Sequence, residues 1–251
     1  MQDAEMFWSA SQDELKQGYV QDENQFICLL CGHTVQKGIV YPKDGTLYEA
    51  ERYMRIHIEN AHQSVFEYLI DLDKKLTGLT DHQNRLLRLF YQGKNDAEVQ
   101  EEMGIGSSST IRNHRFVLKE KERQAKLFLA MMELLKDKDK HAPAFVPLHQ
   151  TARMVDDRYN VTKEEKMAVL KKYFPKGSQD ALKSFPPKEK QRLIILQEIT
   201  NRFENERNYE EKEINQILGS IYHDHVLVRR YLIEYGFLDR KPDGSQYWLK
   251  K

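Results

Sequence analysis

The sequence predicts a mainly α-helical protein with small β elements. Three observations carry that expectation. Long stretches place apolar residues at helical spacing, over 5–20, 50–76 and 80–136. The run Phe26-Ile27-Cys28 to Tyr48 reads as short strands, broken by Gly32, Gly38 and the Lys43-Asp44-Gly45 turn. A final segment, Phe237 to Leu249, reads as a hairpin around Asp243-Gly244.

Taken in order, the helical pattern of 80–136 has one strong interruption, Gly104-Ile105-Gly106-Ser107-Ser108-Ser109. The charge-alternating stretch Asp137 to Pro143 is the main expected boundary. Thr162, with Glu165 three residues on, has the pattern of a capping box and starts a helix. After the Phe185-Pro186-Pro187 punctuation, helices are expected over about 188–204, 211–219 and 224–235. A chain of 251 residues holds about two domains or three small ones, and four segments result: 1–76, 77–140, 141–187 and 188–251.

Composition narrows the class. Hydrophobic residues make up 40% and charged residues 31%, yet 13 Tyr and 11 Phe supply enough surface to bury, which argues against general disorder. No apolar run approaches the ~18 residues of a membrane span, and the acidic start is unlike a signal peptide. Two cysteines are too few for a disulfide framework, so a cytoplasmic protein without a membrane partner is expected. The net charge of zero conceals a gradient: residues 1–70 carry 5 basic against 11 acidic side chains, and 141–251 carry 20 against 16. Residues 111–126 concentrate six basic residues against Glu120 and Glu122, either a solvated helix face or the footprint of a nucleic-acid binder.

Cys28 and Cys31, two residues apart before Gly32, can share one ion across a tight turn, and His57 and His62 follow five residues apart. This set resembles a two-Cys, two-His zinc finger over about 26–62, with 25 residues between Cys31 and His57 where the common finger has about 12. The resemblance implies structural zinc on Cys28, Cys31, His57 and His62. His33 is an alternative ligand, and a buried cysteine pair or a redox dithiol are the rival readings.

In the middle, Leu86, Leu87, Leu89 and Phe90 precede Gly93-Lys94, a short helix with Ala97, Val99 and Met103, and then Gly104-Ile105. Ser107 or Ser108 caps a helix that begins Ser109-Thr110-Ile111-Arg112-Asn113-His114. This order resembles the LuxR/GerE-type helix-turn-helix over about 78–118. The resemblance implies double-stranded DNA as partner. Ser108, Ser109 and Thr110 would lie at the phosphates, Arg112 and Asn113 at base edges, and Arg115 and Lys119 on the backbone. The helix runs on through Leu127, Phe128, Met131, Leu134 and Leu135, a stripe that reads as core or as a homodimer contact around 117–136.

Residues 188–251 read as three helices and a hairpin, the order of a winged helix, with Arg229 and Arg230 on the third helix, in the place where winged helices read DNA. Tyr209-x-Glu-Lys-Glu-Ile-Asn, Asp224 with Arg229-Arg230, and Tyr235 to Arg240 through Tyr247-Trp248 are similar to an uncharacterised C-terminal domain of bacterial transcriptional regulators. That likeness is expected to extend upstream to Arg153–Tyr159, covering about 149–249. It implies regulation and supplies no ligand; Asp224 with Arg229 reads equally as a capping and salt-bridge pair.

The leading expectation is therefore a sequence-specific DNA-binding transcriptional regulator containing a zinc-finger-like module, a helix-turn-helix and a winged-helix-like domain. An RNA- or ribosome-associated zinc protein is the second reading. Catalysis is disfavoured: no Gly-rich phosphate loop, Ser elbow or H-E-x-x-H motif is present. A Cys/His-only ligand set also leaves zinc no open position.

Overall fold

Ser11 divides the first helical pattern. Its hydroxyl accepts the Glu14 N–H while the Glu14 carboxylate accepts the Ser11 N–H at 2.8 Å, a capping box that starts a new helix. In the computed structural model, which describes residues 2–152, 155–205 and 207–250, 5–20 is therefore not one helix. Helices α1 (Gln2–Ser9) and α2 (Gln12–Gln17) are followed by strand β1 (Tyr19–Gln21), with Gly18 turning the chain at φ +81°. A left-handed residue stops the helix and satisfies its terminal carbonyls.

Strand β1 pairs antiparallel with β2 (Gln25–Cys28), and β2 with β3 (Thr34–Gln36). A separate hairpin, β4 (Val40–Lys43) with β5 (Thr46–Glu49), turns at Asp44-Gly45. Helix α3 (Ala50–His62) lays Ala50, Met54 and Ile58 against β2 and β3. The expected helix over 50–76 is three, because Gln63 adopts φ +61° and Ser64 caps α4 (Val65–Asp71). The Asp73 carboxylate then accepts the Lys75 N–H at 2.8 Å at the start of α5 (Lys74–Thr77).

Three capped helices follow: α6 (Asp81–Tyr91) behind Thr80, α7 (Asp96–Met103) behind Asn95 and α8 (Ser108–Lys136) behind Ser107. Thr80 with Gln83 and Asn95 with Glu98 form complete capping boxes. Leu86, Leu89, Val99 and Ile111 form their buried core.

Towards the C-terminus Phe145 bridges to Thr162, and a 3₁₀ turn spans Asp157–Tyr159. The Thr162–Glu165 box starts α9 (Lys163–Tyr173). Then come α10 (Glu189–Thr200), β6 (Tyr209–Glu210), α11 (Glu211–Ile221), α12 (His225–Glu234), β7 (Leu238–Arg240) and β8 (Gln246–Leu249). The three strands make an antiparallel sheet in the order β6-β8-β7, with Tyr209 opposite Tyr247. Strand β6 was not expected, because two residues carry no alternation to read.

The chain forms two compact units, one of residues 1–76 with 145–251 and one of residues 77–144. In the first, the Trp8 indole N–H donates to the Leu148 carbonyl at 2.8 Å, and Lys163 pairs with Glu5 at 3.1 Å. No described helix is long and apolar enough to cross a membrane.

Gly18 lies tightly against α3 and α4. A Cβ there would lie 2.6 Å from Val65 Cγ2 and 3.1 Å from Ile58 Cδ1, on a backbone that L residues resist. Gly18→Ala is expected to destabilise the first unit by about 2 kcal/mol or more. Urea unfolding of that unit should show the loss, with the 77–144 unit unchanged.

Candidate functional site

The turn after β2 is built from backbone. The Leu29 N–H donates to the Gly18 carbonyl (2.9 Å), Cys28 N–H to His33 (2.8 Å) and Gly32 N–H to Cys28 (2.8 Å). Gly32 adopts φ +75°, a conformation glycine enters without steric cost. These bonds fold Cys28-Leu29-Leu30-Cys31 into a tight knuckle that buries Leu29 and Leu30 in the core and turns both thiols to one side. The last turns of α3 bring His57 and His62 to the same side.

One donor atom from each of Cys28, Cys31, His57 and His62 lies within 4.8 Å of the other three. Cys31 Sγ is 3.2 Å from His57 Nε2, and Cys28 Sγ is 3.8 Å from His62 Nε2. The thiols are buried and the imidazoles partly so. Two soft thiolates and two imidazoles converging on one point could hold a metal ion. The hydrogen bond that the Cys31 thiol makes to Cys28, and then burial, push the Cys31 thiol up, so a bound cation must displace protons held in this pair. His33 is not among the four; its ring stacks on His57 with centroids 4.2 Å apart.

Behind this cluster lies an arrangement that the sequence did not announce. The Tyr68 hydroxyl donates to Gln150 Oε1 at 2.5 Å, and Gln150 Nε2 donates to the Leu29 carbonyl at 3.2 Å. The Tyr68 ring also meets His62 edge-on at 5.7 Å. Burial and the nearby thiol charges raise the Tyr68 hydroxyl, keeping it protonated as the donor. Gln150 and Leu29 are 121 residues apart, and no local pattern marks such a bond. Next to them His149 stacks on Phe237 at 4.1 Å, with its ring nitrogens 3.0 Å from Thr151 Oγ1 and from Tyr159 Oη. Burial pushes its pKa down to about 3, so it is a neutral packing group. Asp156 is held by Arg158 through two bonds of 2.8 and 2.6 Å.

In the second unit the N-terminal turns of α8 are exposed. Ser107 caps the helix, and its Oγ lies 2.8 Å from Ser109 Oγ and 3.0 Å from Thr110 Oγ1. Ser108, Ser109, Thr110, Arg112 and Asn113 face solvent around the buried Ile111. Arg115 is placed differently: it pairs with Asp96 at 2.8 Å, and its guanidinium lies 3.7 Å over the Phe90 ring. That arrangement ties α8 to α6 and α7. Lys119 pairs with Glu122 at 2.6 Å on the exposed face. His82 and His114 bring their Nε2 atoms to 3.3 Å across α6 and α8.

In the C-terminal module Arg229 turns inward. It bonds Asn215 Oδ1 at 2.5 Å and Glu211 at 3.0 Å, and it lies 5.4 Å over the Tyr247 ring. It fastens α12 to α11 and β8. Asp224 caps α12 by accepting the Leu227 N–H at 3.0 Å, and Arg230 stays exposed. Tyr247 is buried.

Residues 181–249 match the family described as "Uncharacterized protein conserved in bacteria (DUF2087)". The match begins beyond the block 153–159, whose Arg153 and Met154 also lie outside the described residues. The upstream reach to 149 is therefore not part of it. No curated protein and no solved structure matches the chain significantly.

The donor set determines the expected response to metal removal. A strong chelator should cost the 1–76 region its cooperative unfolding, read by calorimetry, and restored metal should return it. Cys28→Ser should weaken metal affinity by roughly 100-fold or more, beyond the 10–100-fold typical of outer-shell changes. Affinity should fall as pH is lowered, because thiols and imidazoles must shed protons to bind; competition with a chromophoric chelator measures both.

Proposed function

We propose that this chain is a bacterial, double-stranded-DNA-binding transcriptional regulator that carries a structural zinc ion. The observation that carries the reading is the exposed first turns of α8. Arg112 and Asn113 have no partner there among the described interactions, while the neighbouring Arg115 is committed to Asp96 and Phe90. Arg pairs with guanine and Asn with adenine in the major groove, and a free helix N-terminus with Ser and Thr hydroxyls suits a phosphate. The three short-linked helices α6, α7 and α8 support a helix-turn-helix with α8 as the reading helix.

Zinc suits the four-donor cluster. Bond lengths of about 2.3 Å to sulfur and 2.0–2.1 Å to nitrogen imply tetrahedral edges of roughly 3.3–3.8 Å. Cys28, Cys31, His57 and His62 would hold it as a closed site, so the ion supplies folding energy and no water for catalysis. The element order α10-β6-α11-α12-β7-β8, with its β6-β8-β7 sheet, supports a winged-helix reading of the C-terminal module. There Arg230 on α12 and the hairpin turn remain available to nucleic acid, whereas Arg229 belongs to the fold.

Replacing Arg112 and Asn113 with alanine should lower affinity for selected genomic sites by about 1–3 kcal/mol for each base-edge hydrogen-bonding pair removed. Non-specific binding should change little. Lys119→Ala should weaken all sequences alike and reduce the slope of log affinity against log salt by about one. Fluorescence anisotropy across a salt series reads both. Weak, uniform binding that structured RNA outcompetes would overturn this reading in favour of an RNA-associated one.

A further inference from the structure

The distal half of α8 has no cover among the described residues. Leu127, Phe128, Met131, Leu134 and Leu135 fall at i, i+3/4 and i+7 spacing along one face, and their exposures are 66, 58, 58, 70 and 47%. Met132 adds apolar surface on the flank, at 40%. The stripe continues into a groove of about 1060 Å³ between α8 and the segment before and along α6, lined by Leu79, Leu87, Phe90, Leu118, Leu127 and Phe128. Isolated exposed leucines are ordinary, but a contiguous apolar face on a helix this far from its own core is not.

We infer that this face is a homodimer interface, in which α8 of a second copy packs its own 127–135 stripe against this one about a two-fold axis near Met131. The area argues for it. The five stripe side chains present on the order of 600 Å² per copy, the lower end of what each partner contributes to a stable interface, and the adjoining groove adds to it. The chemistry argues for a like partner. The stripe holds no charge, so it is complementary to itself, and an isologous contact needs only one such patch. It is bounded by charge-alternating turns, Lys119 to Arg123 on one side and Lys136 to Lys140 on the other. Those turns keep the ends of the pair in water and limit it to one closed contact. A lipid surface is the poorer occupant, because membrane-lying helices carry Lys and Arg along the face opposite the apolar one. Between 127 and 135 the only charged residue is Glu133.

Near a two-fold axis a residue meets its own copy, which makes the interface testable without DNA and apart from the proposed DNA reading. Multi-angle light scattering on the full chain should give twice the 29.8 kDa of one chain at micromolar concentration. Met131→Glu places two carboxylates at the axis and should weaken the dimer by about 100-fold or more. Met131→Lys should do the same. Mixing the two variants should restore the doubled mass, because Glu then faces Lys. Because Met131 is exposed in one chain, both variants should keep the wild-type melting temperature of the 77–144 unit when compared as monomers. A wild-type chain that stays monomeric at tens of micromolar, a mass indifferent to either variant, or failure of the mixture to dimerise would overturn the inference. Co-flotation of a monomeric wild-type chain with anionic vesicles would overturn it in favour of a lipid surface.

Discussion

Four side chains from a knuckle and the end of one helix are held with their donor atoms inside 4.8 Å, and the N-terminal region is organised around that meeting point. The core behind it is small: Phe7, Tyr19, Phe26, Val35, Met54 and Ile58 pack with the knuckle's own Leu29 and Leu30. A metal cross-link between knuckle and helix would add to what this burial contributes. The same knuckle is where the distant segment 145–152 attaches, through Gln150 to the Leu29 carbonyl.

The arginines divide by what surrounds them. Arg115 and Arg229 each combine a carboxylate partner with an aromatic face, and both join a helix to its neighbours. A guanidinium placed so is a structural clasp, since stacking and a directional bond fix its plane. Arg112 and Arg230 lack such carboxylate partners among the described residues and lie on exposed helix faces. Charge counting along the chain cannot make this distinction. The local excess over 111–126 is also smaller in effect than it looks, because Arg123 pairs with Glu120 and Lys119 with Glu122.

Local chemistry made much of the helical layout legible. The boxes at Thr80, Asn95 and Thr162 start helices where hydroxyl or amide residues stand three before Gln or Glu. The four metal-cluster residues were legible for a similar reason: Cys and His are few, and their spacing is chemically restrictive. Less legible were the breaks at Ser11 and Gln63, where apolar periodicity runs on across a capping residue or a positive φ. Strand β6 was too short to show a period and exists because β8 offers it an edge. Gln150 and Tyr68 were invisible, because their role depends on a bond between residues brought together only by the tertiary fold. The inward turn of Arg229 depends likewise on α11 and β8 lying beside α12.

X-ray absorption on the purified chain tests the organising role of the four-donor cluster most directly. One zinc per chain, with two sulfur neighbours at about 2.3 Å and two imidazole nitrogens at about 2.0 Å, is the predicted result. That shell should lose one sulfur in Cys31→Ser and one imidazole in His57→Ala. A chain that folds with no stoichiometric metal, or a shell dominated by oxygen, would contradict the account.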